Sequence, residues 1–289
     1  MKPAPFTWHA PDTIADAAQL LAELDMPKLL AGGQSLMPML NMRYVFADNI
    51  IDLNGIAGLD GIELVGDCLE IGAMTRQRAL QRSDIVQQHM PAMGEALHWV
   101  GHVATRSRGT IGGSLSHLDP AAELPALLAL HDGSLVVQST RGTRDIAANE
   151  WFSGYMTPGL EADELLVKVK LPVWPKPHGF SFIEIARRHG DFAIAGAGAL
   201  LQLNGAGQIS RAAIVVFGAE VAPVRLRGAE ELLLGEHAAP EVLKAAAEHA
   251  ATLDAMDDVH CSGAYRRQVS QVLVRRALSE AAVRAKETG

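Results

Sequence analysis

The sequence predicts an α+β protein in two parts, and three observations carry that prediction. Strand and helix signals alternate over residues 1–60, which is typical of a small α/β unit. Two alternating runs flank Gly66-Asp67 and predict a β-hairpin. Three prolines within residues 172–177 predict a stiff, extended linker. We therefore predict a boundary near residue 175, with domains over 1–175 and 176–289.

The first domain has local signals for each element. Thr13 is a candidate N-cap for a helix whose apolar face begins at Ile14. Residues 76–100 predict helical pieces that are broken near Pro91. Residues 109–118 are rich in glycine and serine, so we expect a loop rather than a regular helix. A helix is predicted from Asp119 to about residue 129. Strands are predicted over residues 133–139, 143–146 and 164–171.

After the linker the pattern changes to three strands followed by helices. The strands are predicted over residues 179–186, 194–203 and 208–217. The helices are predicted over residues 225–234, 241–252 and 265–286. The Gly196-Ala197-Gly198-Ala199 run lies inside the second of these strands, so we interpret it as a packing feature rather than a dinucleotide-binding turn.

The composition excludes several classes of function. A net charge of −8 does not predict a nucleic-acid surface. Cys68 and Cys261 are the only cysteines and lie far apart, so no iron–sulfur cluster or thiolate metal site is expected. His98 and His102 have ligand spacing but lack the glutamate of H-E-x-x-H, and we interpret them as a packing or surface pair. Without a signal-like segment or a span of about 20 apolar residues, we expect a cytoplasmic protein with no stable membrane insertion.

The first candidate binding segment is the glycine loop Leu29-Leu30-Ala31-Gly32-Gly33-Gln34-Ser35-Leu36. An apolar strand ends here in two glycines and the chain enters a helix. Glycines allow close approach of a ligand, and exposed N–H groups can face phosphate oxygens. Gln34 and Ser35 add side-chain donors. A plain strand-to-helix turn is the alternative, and the motif is weak when it is taken alone.

The second candidate segment is Thr110-Ile111-Gly112-Gly113-Ser114, again paired glycines among hydroxyl side chains. Asp119 is a candidate N-cap of the following helix, and Glu123 lies within its first turns. Both acidic residues are compatible with ligand contact as well as with a structural role. His117 is a candidate contact for a ligand or for a neighbouring subunit. Tyr155 could shield the ligand, and the alternative is that its ring covers the core.

Together the segments AGGQSLMPMLNMR at 31–43 and TIGGSLSHLDPAAELP at 110–125 resemble the FAD-binding medium subunit of molybdenum hydroxylases, the carbon monoxide dehydrogenase and xanthine dehydrogenase group. The resemblance spans nearly the whole chain. It implies a two-part FAD-binding domain of the vanillyl-alcohol-oxidase-like type. It also implies a C-terminal three-stranded sheet with a helical bundle.

The resemblance also implies roles for individual residues. The loop 29–36 would wrap the FAD pyrophosphate, and residues 110–114 would contact the pyrophosphate and the flavin side. Glu123 would meet ribityl or ribose hydroxyls, and Leu166 would lie near the isoalloxazine ring. Val100 or Gly101 matches a further contact position.

One position departs from the family pattern. Where relatives carry a lysine, the equivalent residue here is Glu184. Arg187 or Arg188 is a candidate substitute, and a solvated or interface basic pair is the alternative. No catalytic residue is expected in this chain, because the bound flavin supplies the redox chemistry.

The implied partners are a small subunit with two [2Fe-2S] clusters and a large molybdopterin subunit, in a heterohexamer formed as a dimer of heterotrimers. Electrons would pass from the clusters to FAD and then to an external acceptor, and the isolated chain would be inactive on substrate. Two alternatives stay open at this point. They are a stand-alone FAD-dependent oxidase or reductase of the same fold, and an assembly module without a cofactor. The sequence identifies neither the substrate nor the acceptor.

Overall fold

The computed structural model describes residues 1–288, and the chain begins with a three-stranded parallel sheet of order β1-β3-β2. The Thr13 hydroxyl accepts a hydrogen bond from the Asp16 N–H at 3.1 Å, which confirms the predicted N-cap. The elements of this unit are β1 (Thr7–His9), α1 (Ile14–Glu23), β2 (Pro27–Leu30), α2 (Leu36–Asn41) and β3 (Asn49–Asp52).

A five-stranded antiparallel sheet of order β4-β5-β10-β6-β7 follows, together with a cluster of short helices. The β4–β5 hairpin pairs Val65 with Cys68 across Gly66-Asp67, as predicted. The elements are β4 (Ile62–Val65), β5 (Cys68–Gly72), α3 (Gln77–Arg82), α4 (Asp84–His89), α5 (Pro91–Trp99), α6 (Val103–Arg108), α7 (Ile111–His117), α8 (Glu123–Leu130), β6 (Ser134–Ser139), β7 (Gly142–Ala147), α9 (Ala148–Trp151), β8 (Phe152–Gly154), β9 (Thr157–Pro158) and β10 (Leu165–Pro172).

The C-terminal part contains the three predicted strands, and a two-residue strand extends their antiparallel sheet at one edge. One face of this sheet is covered by the long C-terminal helix. The elements are β11 (Gly179–Ile185), β12 (Ala195–Leu203), β13 (Ile209–Phe217), β14 (Val224–Arg225), α10 (Arg227–Leu233), α11 (Pro240–Glu248), a 3-10 turn (His249–Thr252) and α12 (Gly263–Thr288).

The predicted loop over residues 109–118 is wrong, because most of it forms helix α7. Ile111 and Leu115, one turn apart, are both 1% exposed and pack in the main core. The Thr110 hydroxyl caps the helix by accepting from the Gly113 N–H. A good cap and two buried apolar side chains outweigh a propensity cost of about 1 kcal/mol for each glycine.

The start of the next helix also differs from the prediction. Helix α8 begins at Glu123, with Ala122 rather than Asp119 as its N-cap. The Asp119 carboxylate instead accepts a hydrogen bond from the Ala121 N–H at 2.9 Å and closes a turn. Glu123 therefore occupies the first position of its helix.

The largest hydrophobic cluster joins the two parts of the chain. It contains residues of α5, α7 and α8 together with Phe182, Leu200 and Phe217 of the C-terminal sheet. Within β12, a Cβ on Gly196 would lie 2.1 Å from the Phe217 ring, so the glycine–alanine run is a packing feature as predicted. The boundary near residue 175 stays a prediction. No helix within residues 1–288 is long and apolar enough to cross a membrane.

Candidate functional site

A cleft of about 890 Å³ lies between the N-terminal sheet, the short helices α6–α8 and the C-terminal part. Its volume is within the range of about 300–1,000 Å³ that is usual for small-molecule and cofactor sites. Most of the residues predicted from the sequence line this cleft. Leu30 and Ile111 do not, because their side chains are buried in the core, and Glu184 and Arg188 do not line it either. The lining residues that were predicted are Leu29, Ala31, Gly32, Gly33, Gln34, Ser35, Leu36, Gly101, Thr110, Gly112, Gly113, Ser114, Glu123, Leu166 and Arg187.

The first glycine loop presents unpaired backbone donors to the cleft. Strand β2 ends at Leu30 and helix α2 begins at Leu36. Among residues 1–288, the N–H groups of residues 32–35 donate to no protein atom, and the Ser35 hydroxyl makes no cap hydrogen bond. Gly33 has φ +71°, a left-handed conformation that favours glycine. The turn thus aims a row of donors at the cleft, which suits an anionic group.

The second loop uses its backbone donors internally. The four N–H groups of residues 111–114 donate, in order, to the Thr75 carbonyl, the Ala73 carbonyl, the Thr110 hydroxyl and the Thr110 carbonyl. These bonds fasten α7 to the end of β5. What the loop offers to the cleft is the hydroxyl hydrogen of Thr110 and the hydroxyl of Ser114.

At least one glycine of each loop is required by close backbone contacts within the protein rather than by a ligand. A Cβ on Gly32 would lie 2.3 Å from the carbonyl oxygen of Arg108, the last residue of α6, just before the second loop. A Cβ on Gly112 would lie 2.6 Å from the Ala73 carbonyl oxygen. The expectation that paired glycines serve ligand approach is therefore incomplete, because Gly32 and Gly112 permit close backbone packing.

Two residues that the sequence did not single out hold the loops together. The Asn54 side-chain amide donates to the Ala31 carbonyl at 2.9 Å. Arg76 donates to the Asn54 side chain at 2.6 Å and also to the Arg108 carbonyl. Burial lowers the pKa of the Arg76 guanidinium, and the nearby charge of Arg108 lowers it further. No local pattern predicts this brace, because its members are far apart in the sequence.

Two buried carboxyl groups lie beside the cleft. Glu123 is 9% exposed, and burial raises its pKa to about 7. Glu184, on β11, is 8% exposed, and burial together with the charge of Glu123 raises its pKa to about 8. The Glu184 side chain does not line the cleft, and its Oε2 has no hydrogen-bond partner in the described part of the chain.

The two candidate substitutes for the missing lysine differ in position. Arg187 lines the cleft, with its Nε 3.9 Å from the Asp191 carboxylate, whereas Arg188 does not line it. Phe192, which is 72% exposed, also lines the cleft and was not predicted. The loop after β11 therefore supplies a cation and an aromatic ring to this wall.

Further lining residues come from distant parts of the chain. His117 and Tyr155 both line the cleft, and burial lowers the pKa of the His117 imidazole. Arg266 of α12 lines it too, while its guanidinium donates to the Gly218 carbonyl and the Asp258 carboxylate. Within residues 1–288 no group of three or more histidine, cysteine or acidic side chains could hold a metal ion.

Comparisons with known proteins identify relatives along the whole chain. The family described as "FAD binding domain in molybdopterin dehydrogenase" matches residues 4–174. The family described as "CO dehydrogenase flavoprotein C-terminal domain" matches residues 180–281. Subunit alpha of the 6-hydroxypseudooxynicotine dehydrogenase complex of Paenarthrobacter nicotinovorans is 40% identical, over 100% of this chain and 98% of its own length.

More distant relatives also match along almost the whole chain. The carbon monoxide dehydrogenase medium chain of Hydrogenophaga pseudoflava is 33% identical, over 97% of this chain and 98% of its own. The solved structure of quinoline 2-oxidoreductase from Pseudomonas putida 86 superposes with a TM-score of 0.94 at 32% identity, covering 99% of each chain. These matches confirm the predicted α+β fold, with its FAD-binding and C-terminal parts.

Proposed function

Because this chain belongs to the FAD-binding medium subunits of the molybdenum hydroxylases, we propose that it relays electrons from the [2Fe-2S] clusters of a partner subunit to an external acceptor. One observation supports an FAD site in this chain. In the described part of the chain, the N–H groups of residues 32–35 are unpaired and lie in a cleft of cofactor size. FAD, when bound, supplies the electron-accepting and electron-donating chemistry. The protein binds and orients it.

The residues present suit the diphosphate of FAD. In the described part of the chain, the N–H groups of residues 32–35 and the hydroxyls of Ser35, Thr110 and Ser114 are donors without an anionic protein partner. Donors of this kind bind phosphate oxygens without bringing in a titrating base. We assign the diphosphate to this end of the cleft.

The remaining predicted contacts fall on the other walls of the cleft. We assign Glu123 to hydroxyl groups of the cofactor, because a carboxyl group accepts hydrogen bonds from them. Leu166 and Gly101 form apolar and backbone surfaces on the cleft walls, and we assign them to the flavin side. Arg187 is assigned as the basic contact in place of the family lysine.

The assembly that we propose is a heterohexamer, formed as a dimer of heterotrimers in the cytoplasm. Each trimer contains this chain, a small subunit with two [2Fe-2S] clusters and a large molybdopterin subunit. Substrate oxidation is assigned to the large subunit. The chain on its own is therefore expected to show no dehydrogenase activity.

Co-purification from the native source tests this proposal. We expect a complex that contains molybdenum, iron and FAD, from which the isolated chain retains flavin absorbance and no iron. Steady-state substrate turnover by the isolated chain would instead support a stand-alone flavin enzyme. A folded, colourless chain without affinity for FAD would contradict the proposal and support an assembly module.

A further inference from the structure

The side-chain amide of Gln77 lies in the wall of the cleft and makes no hydrogen bond to the described part of the chain. Gln77 is the first residue of α3 and is only 6% exposed. Within residues 1–288 its Oε1 is buried without a donor, whereas its Nε2, also unpaired, is accessible to solvent. Because buried amides normally use both their donor and their acceptor ends, this unpaired amide indicates that a ligand in the cleft completes its hydrogen bonds.

Gln77 packs against Gly109, the residue just before the second loop, and Gly109 in turn packs against the first loop. A Cβ on Gly109 would lie 2.5 Å from the Gln77 Oε1, and a Cβ on Gly32 would lie 2.8 Å from the Gly109 Cα. The Gln77 N–H donates to the Gly109 carbonyl at 2.9 Å. The neighbouring residues Arg76 and Thr110 form a β-bridge. These contacts place the amide at the end of the cleft that we assign to the diphosphate.

The arginines close to Gln77 are cations that donate to neutral groups. Arg76 donates to the Asn54 side chain at 2.6 Å. Arg106 donates to the side chain of Gln81, one helical turn along α3 from Gln77, at 3.2 Å. Neither guanidinium forms a salt bridge within residues 1–288. Their positive charge therefore favours a negatively charged ligand group beside the Gln77 amide.

We propose that the Nε2 of Gln77 donates a hydrogen bond to a diphosphate oxygen of FAD and so adds a side-chain donor to those of the two glycine loops. A neutral amide donates to phosphate without bringing in a titrating group. The buried Oε1 destabilises the FAD-free chain, because it is an acceptor without a donor. The amide therefore contributes to FAD binding and not to the stability of the FAD-free chain. The inference rests on the proposed function, because it requires FAD in this cleft.

Gln77→Met tests the binding role and the stability role together. Methionine has a similar length and no amide to leave unpaired, so the melting temperature of the FAD-free chain should stay the same or rise. The hydrogen bond to a charged oxygen is lost, so FAD affinity should fall by about tenfold or more. Thermal denaturation of the full, FAD-free chain and a fluorescence titration with FAD measure the two effects.

Two further variants identify the FAD group that the amide contacts and control for the substitution itself. Gln77→Glu keeps the shape of the side chain but places a carboxylate beside the diphosphate, so FAD affinity should fall by about a hundredfold or more when it is measured at mildly alkaline pH. Gln88→Met, at an exposed position of α4, should leave both FAD affinity and the melting temperature of the FAD-free chain unchanged.

Three results would overturn the inference. The first is an unchanged FAD affinity in Gln77→Met. The second is a lower melting temperature of FAD-free Gln77→Met, or failure of this variant to fold, because Gln77 would then be a structural support. The third is an FAD affinity retained in Gln77→Glu, because the amide would then accept from hydroxyl groups of FAD. Failure of the wild-type chain to bind FAD would instead contradict the proposed function as well.

Discussion

The two glycine loops are similar in sequence, but their backbone N–H groups have different hydrogen-bond partners in the structure. Both place paired glycines and hydroxyl side chains before a helix. Within residues 1–288, the N–H groups of residues 32–35 in the first loop donate to no protein atom, whereas those of residues 111–114 in the second loop all donate to the protein itself. A glycine-rich turn therefore indicates that the backbone closely approaches either another part of the protein or a ligand. The hydrogen-bond partners of its N–H groups distinguish these two cases.

The largest effect on stability and FAD affinity is expected at Gly32, where the first loop packs against the end of α6. Gly32→Ala places a methyl group 2.3 Å from the Arg108 carbonyl oxygen, and only a backbone shift can relieve that clash. Overpacking of this kind costs about 1–3 kcal/mol, so both the melting temperature and the FAD affinity should fall, the affinity by about tenfold or more. Thermal denaturation and FAD titration measure the two effects. Gly94→Ala, in a helix with open space around it, is the control and should stabilise the chain slightly.

Loss of the Asn54–Arg76 brace should give the next largest decrease in FAD affinity. Arg76→Met removes the donor to the Asn54 side chain and to the Arg108 carbonyl. Charge-assisted hydrogen bonds are worth about 1.5–3 kcal/mol, and their loss frees both loops, so we expect FAD affinity to fall roughly tenfold. Arg82→Met, at the exposed last position of α3, the helix that follows Arg76, should leave FAD affinity unchanged. Equal effects of the two substitutions would show that the brace is not what positions the loops.

The Thr110 hydroxyl in the second loop caps helix α7 and is also a proposed contact of FAD. Thr110→Val removes the acceptor for the Gly113 N–H, and the loss of an N-cap costs about 1 kcal/mol. We expect denaturant midpoints to fall in the FAD-free chain and FAD affinity to fall as well. Thr143→Val at an exposed strand position is the matched control. An unchanged stability would contradict the capping role.

The smallest effect should appear in the first loop and only in binding. The Ser35 hydroxyl makes no cap hydrogen bond, so Ser35→Ala should leave the stability of the FAD-free chain within about 0.5 kcal/mol of the wild type. The loss of one hydrogen bond to FAD, worth about 0.5–1.5 kcal/mol, should weaken binding about two- to tenfold in a fluorescence titration. A clear loss of FAD-free stability would assign Ser35 a structural role like that of Thr110.

The sequence predicted most of the fold because its signals are local. The Gly66-Asp67 turn, the Thr13 cap and the three strands after the linker all depend on short-range patterns, and the structure confirms them. Helix α7 was missed because its stability comes from the burial of Ile111 and Leu115, a tertiary effect that outweighs low helix propensity.

The candidate site was predicted in part for the same reason. The residues of both loops were found, because glycines and hydroxyls near a strand end form a compact pattern. The Asn54–Arg76 brace and the contribution of Arg266 join residues far apart in the chain, and no spacing rule reveals them. The burial of Glu184 is likewise a property of tertiary packing around β11, so the sequence showed only that a family lysine is missing.

A crystal structure of the chain with FAD bound is the most direct test of the contrast between the loops. We predict diphosphate oxygens that accept hydrogen bonds from the N–H groups of residues 32–35, with only the hydroxyls of Thr110 and Ser114 donating from the second loop. A diphosphate that accepts from the N–H groups of residues 111–114, with residues 32–35 left without a ligand, would contradict the account.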